Sequence, residues 1–283
     1  MLALAWKLLN ETVSGYIEDD ALSRGAAIAY YTVFAIAPVL VIVISIAGLV
    51  YGEEAARGAI VGELQGMMGH DGAEAIQTMI ASAGNKKSGT LGTILGFGAL
   101  LLTASGVFGE MQTGLNRIWK AEPRTSTVTR LVRARAVSLG LVAALGFLLM
   151  VSLAVSAVVT AFGHMLQTVL PDIDLLFRAL NFLISFALIS ALFAAIYKIL
   201  PDKPTRWEDV GVGAVATAFL FTIGKTVIGL YIGSSHVASS YGAASALVIV
   251  LLWVYYSAQI FLLGAEFTRA WAAHHGSPAA AGT

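Results

Sequence analysis

Residues 243–265 read AASALVIVLLWVYYSAQIFLLGA, and the first charge after them is Glu266. An α-helix of that length rises about 35 Å, enough to cross the ~30 Å hydrocarbon layer of a bilayer. No soluble fold needs an apolar run this long without a polar face. A membrane span does, because only a helix can satisfy its own backbone donors and acceptors there. The same ruler, carried outward, finds five more spans: Gly25 to Tyr51 with Pro38 inside it, Ser88 to Gly109, Ala136 to Gly163, Ala179 to Tyr197, and Val210 to about Ile232. The fifth in chain order is interrupted by one charge, Lys225.

Composition agrees with the spans. Of 283 residues, 12% are charged and 58% hydrophobic, and the mean hydropathy is +0.81. A soluble domain carries about twice that charge, and a disordered chain has far fewer apolar residues. The 17 Lys and Arg balance 17 Asp and Glu, so there is no cationic excess for a nucleic-acid partner. With no cysteine, disulfides, thiolate metal sites and cysteine nucleophiles are excluded. No cofactor is expected, and no Walker-type loop is present for ATP. The fold class is all-α: a polytopic membrane helix bundle of six transmembrane helices, with amphipathic helices on both sides.

Lys and Arg are retained on the cytoplasmic side of a bilayer. With the N-terminus inside, twelve of them fall in inner segments and four, Arg57, Lys86, Lys87 and Arg178, in outer ones. Both termini are therefore expected in the cytoplasm. Residues 1–24 carry Leu2, Trp6, Leu9, Val13 and Ile17 at three- and four-residue steps, opposite Lys7, Asn10, Glu11, Ser14 and Glu18. This predicts an amphipathic helix on the inner surface or against the bundle. Lys7, Asn10 and Glu11 interrupt the apolar run that a cleaved signal would need. Residues 25–270 form the six-span domain, and 271–283 a flexible tail. Between the first two spans, residues 53–87 have helical apolar spacing broken by Gly69 and Gly72. They predict two short outer helices, either packed on the bundle or forming a lid.

Several of these segments together resemble a known family. AAIAYYTVFAIAP at Ala26–Pro38, LNRIW at Leu115–Trp119, YKILPDK at Tyr197–Lys203, the Gly224–Lys225 pair and YGAASALVIVLLWVYYSAQIFLLGAE at Tyr241–Glu266 are similar to motifs of the YihY/BrkB family. Older members of this family carry the label ribonuclease BN. The resemblance implies a six-span bacterial inner-membrane protein. It also implies an association with serum resistance and envelope lipid biogenesis. A metal-dependent nuclease needs clustered ligands for its water, whereas His70, His164, His236, His274 and His275 are scattered. The nuclease label therefore reads as a misnomer, and the protein as no enzyme.

Candidate functional residues are the polar ones in or beside the spans. A mid-membrane Lys costs about 2.5–3.5 kcal/mol and calls for a partner, a wet cavity or an escape to the interface. For Lys225 the nearest partners by topology are Asp172, Asp174 and Asn181; otherwise an anionic ligand would answer it. At the inner helix ends Arg24, Glu110, Arg117 and Glu266 pair charges that cross-link the bundle or form a gate. Pro38 is a hinge, and Gln259 is expected to bond another helix. The expected function is to bind or move an anionic, amphiphilic, lipid-like envelope substrate, with membrane lipids as partners. The alternatives are a non-transporting scaffold for envelope assembly and, third, a membrane-embedded hydrolase. The sequence leaves the oligomeric state open.

Overall fold

The structure, a computed structural model, describes residues 2–84, 106–121, 140, 174–234 and 245–275. Among them the regular structure is helical: α1 (Leu2–Glu18), α2 (Ala21–Tyr51), α3 (Glu53–Gly84), α4 (106–118), α5 (Asp174–Ile199), α6 (Trp207–Ser234) and α7 (Ser245–His274). Three stretches are long and apolar enough to cross a membrane: Ala179–Ile199, Trp207–Tyr231 and Leu247–His274. α2 passes the same test only with its two halves taken together, Ala21–Ile36 and Val39–Leu49, which meet at 50°. Pro38 lies in the break and supplies its cause, since it lacks the amide that would bond the Phe34 carbonyl. The expected span Ala136–Gly163 lies outside the described residues apart from Gly140. Of Ser88–Gly109 only the last turn, at the start of α4, is described.

Two contacts organise the bundle. α6 and α7 cross where each offers a glycine to the other's threonine. A Cβ at Gly213 would collide with Thr268, and one at Gly264 with Thr217 and the Tyr197 hydroxyl. Both threonine hydroxyls are satisfied within their own helices, Thr217 donating to Gly213 O at 2.7 Å and Thr268 to Gly264 O at 2.6 Å. Tyr197 of α5 closes the crossing by donating to Phe261 O at 2.7 Å. Around this point Leu115, Ile118, Trp119, Leu200, Val210 and Leu262 form a core.

The second contact is made by α3. Gly52, at φ 84, reverses the chain after α2, and Gly69, at φ 78 and ψ 178, breaks α3 into the two expected helical pieces. Both conformations are open to glycine and strained for other residues. α3 is packed against α2, α6 and α7. Its Ile60, Met68, Ile76 and Ile80 are buried with Val43, Ile44, Ile249, Val250 and Val254. Over the described part, Glu53–Gly84, the segment is packed on the bundle. Ile249 and Val250 lie in the first turns of α7 and Glu266 in its last third, so α3 and Glu266 lie toward opposite ends of the bundle.

Helix α1 has three faces rather than two. Leu8, Thr12, Gly15 and Asp19 are buried, and α1 packs chiefly on α7. The expected apolar stripe, Trp6, Leu9, Val13 and Ile17, stays exposed. The polar residues Lys7, Asn10, Ser14 and Glu18 are exposed on the third face. A helical wheel at 100° per residue puts these faces about 120° apart.

Candidate functional site

The four helix-end charges converge at the end of the bundle opposite α3. Arg24 Nη1 lies 3.8 Å from Glu110 Oε1. Arg117 turns to Asp19, its Nε 3.6 Å from Oδ1, and Glu266 lies 3.8 Å from Arg269 on its own helix. The hub is Asp19, a residue the sequence reasoning missed. It is 2% exposed, and it receives Lys120 Nζ at 2.5 Å and Arg269 Nη1 at 3.4 Å in addition to Arg117. The signal available was the run Glu18–Asp19–Asp20 between two helical periodicities. Asp20 takes the left-handed conformation, φ 57 and ψ 41, and accepts from the Ser23 hydroxyl at 3.0 Å. That tight turn drives Asp19 inward.

Neighbouring contacts tie the same end together. Gln259 meets another helix as expected: its Oε1 accepts from the Tyr16 hydroxyl, and its Nε2 donates to Leu22 O at 3.3 Å. Gly25 has no side chain where Gln259 lies. Burial, then the neighbouring Tyr255, pushes the Tyr16 hydroxyl up to about 12, so it remains a hydrogen-bond donor at neutral pH. On the other flank Asn116 and Gln112 of α4 hold Asp202, in the turn after α5. Lys198 donates to Thr205 O and lies 5.5 Å from the Trp207 ring centre, fastening the rest of that loop.

Two cavities lie at this end. One, of about 510 Å³, is lined by Glu18, Asp19, Asn116, Arg117, Lys120 and Ala121. The other, of about 230 Å³, lies between α1 and α7 and is lined by Glu11, Ser14, Gly15, Glu18, Glu266 and Arg269 among others. Lys225 lines neither.

The expected Lys225 site is only partly visible. Lys225 is half-buried in α6, one residue after Gly224, which packs on Ile260 and Tyr256 of α7. Phe221, one turn earlier, meets Phe193 and Trp253. Lys225 thus lies off the exposed stripe of Phe219, Ile223, Val227 and Leu230. Among the described residues it has no ion pair. Asn181 is exposed on α5, Asp174 begins that helix with its side chain outside the described set, and Asp172 lies outside the described residues.

Long apolar helices, a bent apolar helix and charged clamps at one end define a helical integral membrane protein. The sequence matches the family described as virulence factor BrkB over residues 12–282, and the chain belongs to that family. It is 29% identical to UPF0761 membrane proteins of Alcanivorax borkumensis and Verminephrobacter eiseniae, over 91% and 93% of its own length and 58% and 62% of theirs. A UPF0761 membrane protein of Vibrio parahaemolyticus is also 29% identical, over 86% of this chain and 75% of the relative. The chain thus spans about three fifths of the first two of these relatives. No solved structure matches it.

Proposed function

We propose that this protein sits in the bacterial inner membrane with both termini in the cytoplasm, and that it binds or moves an anionic, amphiphilic envelope lipid without covalent catalysis. The observation that carries this reading is Lys225. It is a half-buried cation within an apolar helix, on the flank of α6 next to the packed face, and without an ionic partner among the described residues. A buried charge is retained where a partner, water or ligand relieves it. A phosphate or carboxylate headgroup supplies opposite charge, and its acyl chains suit the surrounding helices. Membership of a membrane-protein family fits this reading and names no substrate.

A scaffold role has one observation in its favour: the α5–α6–α7 crossing is filled by Tyr197, Thr217, Leu262 and Thr268. Native mass spectrometry of the protein purified in mild detergent separates the two. A retained anionic lipid, exchanged for added anionic but not zwitterionic lipid, supports binding. A protein with no lipid preference supports the scaffold.

A further inference from the structure

Glu266 is a buried carboxyl that the packing does not satisfy. It is 2% exposed, and its Oε1 is buried without a hydrogen-bond partner. Its nearest cation is Arg269 Nη1, 3.8 Å from Oε2. That nitrogen already lies 3.4 Å from Asp19 Oδ2 and donates to Ile118 O at 3.1 Å. Lys120 and Arg117 also go to Asp19. The cations therefore serve Asp19, and Glu266 is left beside a second carboxyl with one oxygen unsatisfied.

The cations around it are engaged by other carboxyls. From α1 and its turn come Glu11, Glu18 and Asp19; from α4 and the turn after it come Arg117 and Lys120; α7 adds Arg269 and His274, which lies 3.3 Å from Glu11. Arg24 of α2 is matched by Glu110. Arg117, Lys120 and Arg269 all lie closer to Asp19, and His274 goes to Glu11, so no cation is left to Glu266 alone. A metal ion does not fit: the described residues contain no group of three or more potential ligands that could hold one. A proton does fit, because it removes the unpaired charge and gives Glu266 an O–H that the neighbouring Asp19 carboxylate can accept.

The proton also has a route. The 230 Å³ cavity beside Glu266 has room for water, and Ser14 and Glu18 on its wall are exposed. We propose that Glu266 and Asp19 form a proton-binding site between α7 and the α1–α2 turn, filled while α1 is docked and emptied when α1 loosens. On release the Glu266 O–H bond breaks and the proton passes through the cavity to bulk water, leaving two adjacent carboxylates. α1 feels this directly, since a Cβ at Gly15 would lie 2.6 Å from Glu266 Oε2.

The test uses the full chain in nanodiscs. Infrared difference spectra should show a protonated-carboxyl band that disappears as pH rises from mildly acid to alkaline, and Glu266→Gln should lack it. Thr12→Cys, on the buried face of α1, should be labelled several-fold faster at alkaline pH beyond the intrinsic rise in thiol reactivity, and Glu266→Gln should abolish that excess. If Glu266→Gln does not fold, Asp19→Asn decides. Removing the neighbouring charge must move the titration to lower pH. A wild type without a titrating carboxyl, a band that survives Glu266→Gln, equal labelling curves, or an unshifted titration in Asp19→Asn would each overturn the proposal.

Discussion

Asn116 and Asp202, 86 residues apart, face each other through two hydrogen bonds: Asn116 Nδ2 donates to Asp202 Oδ2 at 2.7 Å, and the Asp202 amide donates to Asn116 Oδ1 at 2.8 Å. The two residues lie in the LNRIW and YKILPDK segments. The side-chain amide thus satisfies both a carboxylate and a backbone N–H in a turn with no helix to do so. It fastens the loop between α5 and α6 to α4.

Asn116→Ala removes both of these bonds to Asp202. The expected loss is about 1–3 kcal/mol, read as a lower unfolding temperature in detergent. Asn116→Asp should cost more, because it sets a second carboxylate against Asp202. Wild-type stability in both variants would show that the pair does not hold the loop.

The α6–α7 crossing predicts a sharp contrast between glycines. Gly264→Val drives a branched side chain into Thr217 and Tyr197, whereas Gly58 has nothing within 4 Å of a new Cβ. Overpacking costs about 1–3 kcal/mol. Gly264→Val should therefore unfold at clearly lower temperature, while Gly58→Ala stays within the wild-type range. Equal melting of the two would contradict the crossing.

The spans that fall within the described residues were legible because an apolar run of about twenty residues matches the thickness of a bilayer and suits little else. The α2 bend was legible through Pro38, and the break in α3 through Gly69. The charged end was half legible: Arg24, Glu110, Arg117 and Glu266 stood out as helix-end charges. Asp19 did not, because burial of a short acidic side chain depends on a left-handed turn at Asp20 that periodicity does not reveal. The α1 stripe was read correctly as apolar. Its direction was not legible, since a helix packed through Leu8, Thr12 and Gly15 shows no continuous apolar face there. Lys225 remains where sequence placed it, with two of its expected partners, Asp172 and the Asp174 side chain, outside the described residues.

The three-faced α1 predicts that Trp6, which is 74% exposed, lies in lipid at the inner interface, where amphipathic aromatic rings settle. Brominated phospholipid should quench a fluorescence component that Trp6→Phe removes. A Trp6 component quenched by aqueous iodide and not by lipid would place the stripe in water.

Orientation can be read with single cysteines, because the chain has none of its own. Gly58 and Asn10 are both exposed. In intact cells an impermeant thiol reagent should label Gly58→Cys and spare Asn10→Cys. The reverse pattern would invert the inside-to-outside assignment.

The central claim is that Lys225 answers an anionic lipid. Lys225→Met keeps the side-chain length and removes the charge, so the most direct measurement compares the lipid retained by wild type and variant in native mass spectrometry, with unfolding temperature recorded alongside. The variant should stay folded with unchanged stability and lose the anionic lipid. A variant that retains the same anionic lipid to the same extent would contradict it and return Lys225 to a residue whose ammonium reaches the interface.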